Sequence, residues 1–246
     1  MADTLYPYQK IVGVEIAPYE QKYPTWGQFV TQIYYDGVNV PYLGFFDENN
    51  TLIYENLGTV CGTNLYKWSY NLNNYTNLYN KCIHAYIYTN QQNIVDSQPL
   101  NVIAESEILY VSSKYNDEVV QIEYVNNEIF DTVDYTNYTN YAYVSTQFGH
   151  EYNFEETSTT YEKSNGSILK LSSTLKDNRQ FLTDYIPRFE HEKLNLAFMH
   201  DSVIINGESF VKKSEYTINQ IERYSLSQGS TILSTSNYNF VNSNCL

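Results

Sequence analysis

The sequence is short of several things that catalysis needs: glycine numbers only 10, cysteine three and histidine four, and 14 basic residues stand against 28 acidic ones. Each shortage excludes something. There is no glycine-rich phosphate loop, no GxSxG nucleophile turn and no HExxH helix. Cys61, Cys82 and Cys245 stand at no metal-binding or CxxC spacing, and an odd count fits a reducing compartment. The net charge of −14 argues against nucleic acid or an anionic membrane surface held by electrostatics, the largest basic cluster being Lys212-Lys213. No apolar run reaches the ~18 residues of a membrane helix. The opening Met1-Ala2-Asp3-Thr4-Leu5 has neither the basic start nor the apolar stretch of a secretory signal.

What the chain has is tyrosine, 27 of them, set among asparagine, serine and threonine. Tyrosine buries a large apolar ring while its hydroxyl still finds a partner, which suits contact surfaces. The triplet Tyr-Thr-Asn starts at Tyr75, Tyr88, Tyr135 and Tyr138, the last two leading into Tyr141 and Tyr143. A spacing of three puts successive rings on opposite faces of a strand, so no single ligand face results. These six, with Tyr6 and Tyr8 near the N-terminus, are the candidate assembly contacts.

The pattern is mainly β. Four of the six prolines, Pro7, Pro18, Pro24 and Pro41, fall early, and 1–28 reads as an extended arm with a short strand at Lys10 to Ile16. From 29 to 246 the chain reads as one antiparallel β-sandwich domain with helical insertions. A meander is expected over Phe29 to Tyr35, Val40 to Phe46 and Thr51 to Tyr54, then strands at Leu65 to Tyr70, Cys82 to Thr89, Leu100 to Ser112 in one or two pieces, Glu118 to Val125 and Glu128 to Val133. Alternation is longest from Val144 to Phe154, predicting one packed and one wet face. Past Ser164-Asn165-Gly166, Ile168 to Thr174 offers a hairpin partner. Residues 175–200 carry helical spacings at Phe181, Leu182, Tyr185, Ile186 and Phe189, with Pro187 kinking or dividing the helix. Asn206-Gly207 gives the strongest hairpin signal. Short apolar runs at Thr231 to Leu233 and Tyr238 to Val241 end the chain.

Candidate chemistry is thin. Glu190-His191-Glu192 and His200-Asp201 set acids beside imidazoles, and His191 with His200 would supply two metal ligands without a third; a structural role is the simpler reading. The adjacent carboxylates Glu155-Glu156 and the near pair Glu105/Glu107 read as solvated faces. No metal, no cofactor and no enzyme activity are expected. The serine- and threonine-rich stretch from Val144 to Thr174 admits two readings, an ordinary sandwich strand pair or a hairpin able to enter a membrane barrel.

Phenols ionise near pH ~10 and lysines lose charge near ~10.4, so alkali would turn the tyrosines into mutually repelling anions together. An assembly held by tyrosine contacts would be dense near neutrality and come apart in strong base. With this behaviour, the start Met1-Ala2-Asp3, the length near 250, the abundance of tyrosine and asparagine and the segment His150-Glu151-Tyr152-Asn153, the chain resembles the cypovirus polyhedrins. The resemblance implies a compact β-sandwich forming homotrimers, which pack into an intracellular crystal around virus particles in the host cytoplasm, as the occlusion-body matrix. It implies self and virions as partners, neither nucleic acid nor membrane, and nucleotide held only at lattice contacts, with no residues assigned. That family links its trimers through an N-terminal helix, whereas Pro7, Gly13, Pro18 and Pro24 disfavour a helix here. Two alternatives use other features: an aerolysin-like pore-forming or crystal toxin working through 144–174, and a carbohydrate-binding β-sandwich.

Overall fold

The structure, a computed structural model, describes residues 20–62, 64–89, 101–126, 138–220 and 226–241, the backbone alone at 150–152 and 236–241. The strands expected at Lys10 to Ile16 and Glu128 to Val133, and all but the last residues of the arm, lie outside these. The chain is mainly β, its sheets almost wholly antiparallel. Contacts divide it into two compact units, one ending at Ser145 and one beginning at Thr146. That boundary falls inside the span 29–246, and no composition shift marks it.

In the first unit, β1 (Gln21–Tyr23), β3 (Tyr42–Phe46), β4 (Leu52–Leu57), β7 (Cys82–Tyr88), β8 (Val102–Glu105) and β9 (Leu109–Val111) make one sheet, ordered β1-β9-β7-β3-β4 with β8 also on β7. A second is ordered β2-β6-β5, from β2 (Gln28–Tyr34), β5 (Thr59–Gly62) and β6 (Leu65–Asn71). Alternate residues of each turn inward and share one core: Phe29, Ile33, Tyr66, Trp68 and Tyr70 from the second sheet, Leu43, Phe45, Ile83, Ala85, Ile87, Leu109 and Val111 from the first. Register explains the set. Phe29 lies opposite Tyr70 and Ile33 opposite Tyr66, while Leu43 lies opposite Ile87 and Phe45 opposite Ala85.

Of the expected meander, β3 and β4 form the antiparallel pair, but β2 does not join them. β2 pairs with β6, not with β3, because Phe29 packs across the core onto Phe45, edge to face at 5.2 Å, instead of beside it. β10 (Val120–Val125) and β11 (Asn140–Val144) form an antiparallel pair in the same unit.

The second unit holds β12 (Thr146–Glu162), β13 (Ile168–Thr183), β14 (Ile186–Pro187), α1 (Arg188–Ala197), β15 (Ser202–Ile205), β16 (Glu208–Lys212), β17 (Thr217–Gln220) and β18 (Leu226–Val241). Its strands run β15-β16-β18-β13-β12, with β14 and β17 also on β18. Asn206 (φ 50°) and Gly207 (φ 85°) both take the left-handed region, the two-residue turn that joins β15 to β16.

Within 175–200 the helix occupies only Arg188–Ala197. Pro187 sits at its N-cap, where a fixed φ and a missing N–H cost nothing, so the helix starts there. Residues 175–183 are strand: β13 is hydrogen-bonded on both sides, to β12 and β18, and that pairing outweighs the helical spacing of Phe181 and Leu182. Phe181 anchors the core of this unit, its ring 5.0 Å from Phe198 and 5.8 Å from Phe148.

Candidate functional site

The tyrosines chosen as surface contacts serve mostly as packing. Tyr88 is buried; its ring lies over Gly44, where an added Cβ would come within 2.9 Å of it, and its hydroxyl donates to Glu55. Tyr143 is buried on β11, accepting from the Gln28 backbone N–H at 2.6 Å. Tyr138 is buried beneath the Lys67 ammonium, 5.2 Å from the ring centre. Tyr75 and Tyr141 are half-buried, Tyr75 in a cluster with Tyr54 and Tyr70 at 4.8 and 5.5 Å. Tyr6, Tyr8 and Tyr135 lie outside the described residues.

The physical reason is that rings such as Tyr70 and Tyr143 fill the core alongside its Leu, Ile and Val residues. Burial pushes the Tyr70, Tyr88 and Tyr143 phenols far above their ordinary value of 10, and Tyr86, half-buried and close to Glu105, up to about 12. Burial together with Glu123, its direct cross-strand partner, raises Tyr141 as well.

The least covered part of the described chain is the hairpin of β12 and β13. At about 3.3 Å per residue the 17-residue β12 spans about 56 Å. Phe148 packs on Phe210 at 5.3 Å, but past the irregularity between Phe148 and Tyr152, where Gly149 takes φ 78°, every residue of 153–168 is exposed. Of the expected packed face, Phe148 is packed and Phe154 is exposed, the side chains of 150–152 lying outside the described residues. Phe154 is 58% exposed, Tyr161 57% and Ile168 73%.

The hairpin closes on Asn165-Gly166. The Asn165 side-chain oxygen accepts from the Ser167 N–H, and the Gly166 N–H (φ 79°) donates to the Lys163 carbonyl at 2.8 Å.

Register separates the two wet faces of the ribbon. Tyr161 opposes Leu169, Thr159 opposes Ser172 and Thr157 opposes Thr174, an uncharged face. The alternate pairs Glu162/Ile168, Thr160/Lys170, Ser158/Ser173 and Glu156/Leu175 make a charged one, where Lys170 binds Glu156. Nearer the base, Glu155 binds Lys213. β18 lies along the other side of β13, Thr174 pairing with Asn239 and Ser172 with Val241, so the ribbon has three strands.

A second cluster surrounds α1. His191 is buried, with Nε2 3.0 Å from the Ser227 carbonyl and Nδ1 2.7 Å from the Tyr216 hydroxyl. A carbonyl only accepts, so Nε2 carries the proton and Nδ1 accepts from Tyr216. Ser227 Oγ, 2.9 Å from that protonated Nε2, meets no base, and the trio is not a nucleophile. Gly229 leaves the room this needs: a Cβ there would fall 2.0 Å from the Tyr216 hydroxyl oxygen. Burial lowers the His191 and His200 pKa values. His200 Nδ1 donates to the Leu196 carbonyl at 2.8 Å. The neighbouring pair Glu190 and Lys193 is buried at 3.6 Å, desolvation raising the acid and lowering the base.

A cleft of about 480 Å³ opens beside this cluster, lined by Arg188, Glu192, Ile218 and Gln220, and the Arg188 guanidinium is already bonded to Glu192 at 2.8 Å. Among the described residues no group of three His, Cys, Asp or Glu is placed to hold a metal, and no helix is long and apolar enough to cross a membrane.

No family model matches the chain, and no curated protein matches it. The element that sequence reasoning missed is β18, expected as two short runs. Its signal was the unbroken absence of charge from Leu226 to Leu246, with Ser or Thr at 227, 230, 231 and 234 to 236.

Proposed function

We propose that this chain is a self-assembling structural protein, the matrix of a dense intracellular deposit of the occlusion-body kind, whose copies join through the β12–β13–β18 ribbon. One observation carries this reading. Residues 153–168 are exposed strand and turn with both faces in water, Phe154, Tyr161 and Ile168 among them, with Lys213 paired to Glu155 at the base. Toward the turn from Ser172, the last β13 residue that β18 pairs among those described, the ribbon is two-stranded, and because an isolated two-stranded hairpin is marginal in water this end gains most by being covered. A second copy is the simplest cover for an uncharged Ser/Thr face, and the absence of long basic runs keeps polyanions away from it.

The test is expression without any other viral or host component, followed by electron microscopy of thin sections and light scattering of purified protein at pH 7. The expected outcome is ordered intracellular bodies and a concentration-dependent rise in scattering. Freely soluble monomer at high concentration would overturn the reading.

One observation favours a second reading, pore formation. The face Tyr161/Leu169, Thr159/Ser172, Thr157/Thr174 is free of charge while all charges of that stretch sit on the other face, the division a membrane barrel needs. Against it, the uncharged stretch is three cross-strand pairs long and chiefly hydroxylic, short of the ~9–11 residues per strand that cross a bilayer. Dye release from liposomes separates the two: a matrix protein releases none.

A further inference from the structure

The outer side of β12 is bare backbone. Among the described residues β12 pairs only with β13, and every residue of 153–163 is exposed. Open edges are templates for another strand, and natural proteins usually blunt them with lysine, proline or a bulge. From 153 to 162 β12 has neither lysine nor proline, and the extra residue at the one irregularity there, Leu171, belongs to β13.

The turn fixes which backbone groups face outward. The Lys163 N–H donates inward, to the Ser167 carbonyl at 2.8 Å. Backbone direction alternates along an antiparallel pair, so the N–H and C=O groups of Tyr161, Thr159 and Thr157 also turn toward β13. Those of Phe154, Glu156, Ser158, Thr160 and Glu162 turn away from it.

This edge is its own complement about Ser158. A two-fold axis through Ser158, perpendicular to the sheet, lays 153–163 antiparallel along 163–153 of a second copy and uses the whole exposed length. Outward groups then meet outward groups: Ser158 faces Ser158, Glu156 faces Thr160 and Phe154 faces Glu162. Between them Thr157 faces Thr159, Glu155 faces Tyr161 and Asn153 faces Lys163. No acid meets an acid, and Lys163 lies diagonal to Glu155 of the other copy. An axis moved to Thr159 sets Glu156 opposite Glu162, and like charges directly opposite are destabilising. An axis moved to Thr157 pairs only 153–161 of the exposed stretch.

We propose that β12 pairs with the same strand of a second copy of this chain, antiparallel through residues 153–163, with the two-fold axis at Ser158. The proposal rests on the self-assembly reading and specifies its first contact. The contact is isologous and closes at two copies; growth beyond the dimer uses the faces of the joined ribbons.

The test uses the full chain with Cys61, Cys82 and Cys245 changed to serine, and two variants on that background, Thr157→Cys and Thr159→Cys. In the proposed register position 157 of one copy lies directly opposite 159 of the other, a pair without mutual hydrogen bonds whose Cα atoms stand about 4.5 Å apart, within disulfide reach. Two copies of the same position are offset by two residues, about 8 Å, and lie beyond it. The variants are mixed at assembling concentration, oxidised, and run on a non-reducing gel beside each variant alone, with light scattering of the natural chain in parallel.

A covalent dimer in the mixture and in neither variant alone is the expected result. Dimer from Thr157→Cys alone or from Thr159→Cys alone places the axis at that residue and overturns the proposed pairing. Scattering that rises with concentration while no cross-link forms overturns the edge contact and leaves self-assembly standing. Neither scattering nor cross-link overturns both and leaves the open edge to a strand of another protein. Cross-link without growth upholds the edge contact and overturns the deposit.

Ser158→Pro on the natural background reads the contact independently. It removes an outward N–H from an edge strand, where proline is tolerated, and spares the bonds to β13. Sedimentation velocity is expected to show loss of the dimer while the circular dichroism of the monomer is unchanged; an undiminished dimer contradicts the contact.

Discussion

The first unit and the β12–β13–β18 ribbon are built from the same alphabet, tyrosine, threonine, serine and asparagine on alternating strands, and they put it to opposite uses. In the first unit every inward ring meets a second sheet: Phe29 on Phe45, Tyr70 on Tyr54 and Tyr75. Along the ribbon Phe154 and Tyr161, on opposite faces of β12, meet solvent. Period-two patterning thus specifies a strand and its two faces; whether a second layer arrives to cover one of them is decided elsewhere in the chain.

Alkali should break the two regions apart most completely. Tyr70, Tyr88 and Tyr143 hold their protons in the folded unit well above pH 10, while the unfolded chain releases them near 10. The folded state then binds more protons than the unfolded one, so its stability is full below about pH 10 and falls as pH rises from there toward the folded values. Near-ultraviolet circular dichroism followed from pH 8 to 12 should show the first unit's aromatic signal collapsing together with phenol ionisation. Ionisation of these buried phenols with the signal intact would remove the burial argument.

The next effect is a cavity. Phe45→Ala removes a ring that touches Phe29 and Tyr70 in a buried core and should cost ~3–5 kcal/mol in urea unfolding. A cost under ~1 kcal/mol would mean the core is not packed as described.

Acid acts on the second unit more mildly. His191 and His200 are lowered from 6.5 by burial, so the unfolded chain takes up protons first as pH falls. Stability is full above about 6.5 and is lost as pH falls below it through the lowered folded values. Urea midpoints at pH 7 and pH 5 read this, and equal midpoints contradict it. The smallest effect belongs to the ribbon: Tyr161→Ala, at an exposed position, should change monomer stability by no more than ~0.5 kcal/mol.

Part of this was readable in the residues. Asn206-Gly207 favours a turn that few other dipeptides make and was legible locally, whereas Pro187, read as kinking or dividing a helix over 175–200, instead caps the start of one, because the residues before it are held as strand between β12 and β18. The partner of β2 was not legible, because Phe29 facing Phe45 across a core and Phe29 beside it leave the same alternation in sequence. Burial of Tyr88 and Tyr143 was hidden for a related reason: a phenol suits an interface or a core equally until something shows whether Glu55 or Gln28 stands within reach of its hydroxyl. The hairpin 146–183 was visible from Asn165-Gly166 and its flanks, but its wet faces were not, since exposure depends on a layer that never arrives.

The ribbon is the proposed contact of the assembly. Replacing residues 158–173 by Asn-Gly shortens the hairpin at its exposed end and leaves Phe148, Phe181 and the first unit untouched. Sedimentation velocity across a concentration series at pH 7 should then find a folded monomer with an unaltered near-ultraviolet spectrum at every concentration, where the full chain grows. Assembly undiminished by the shortening would contradict the account.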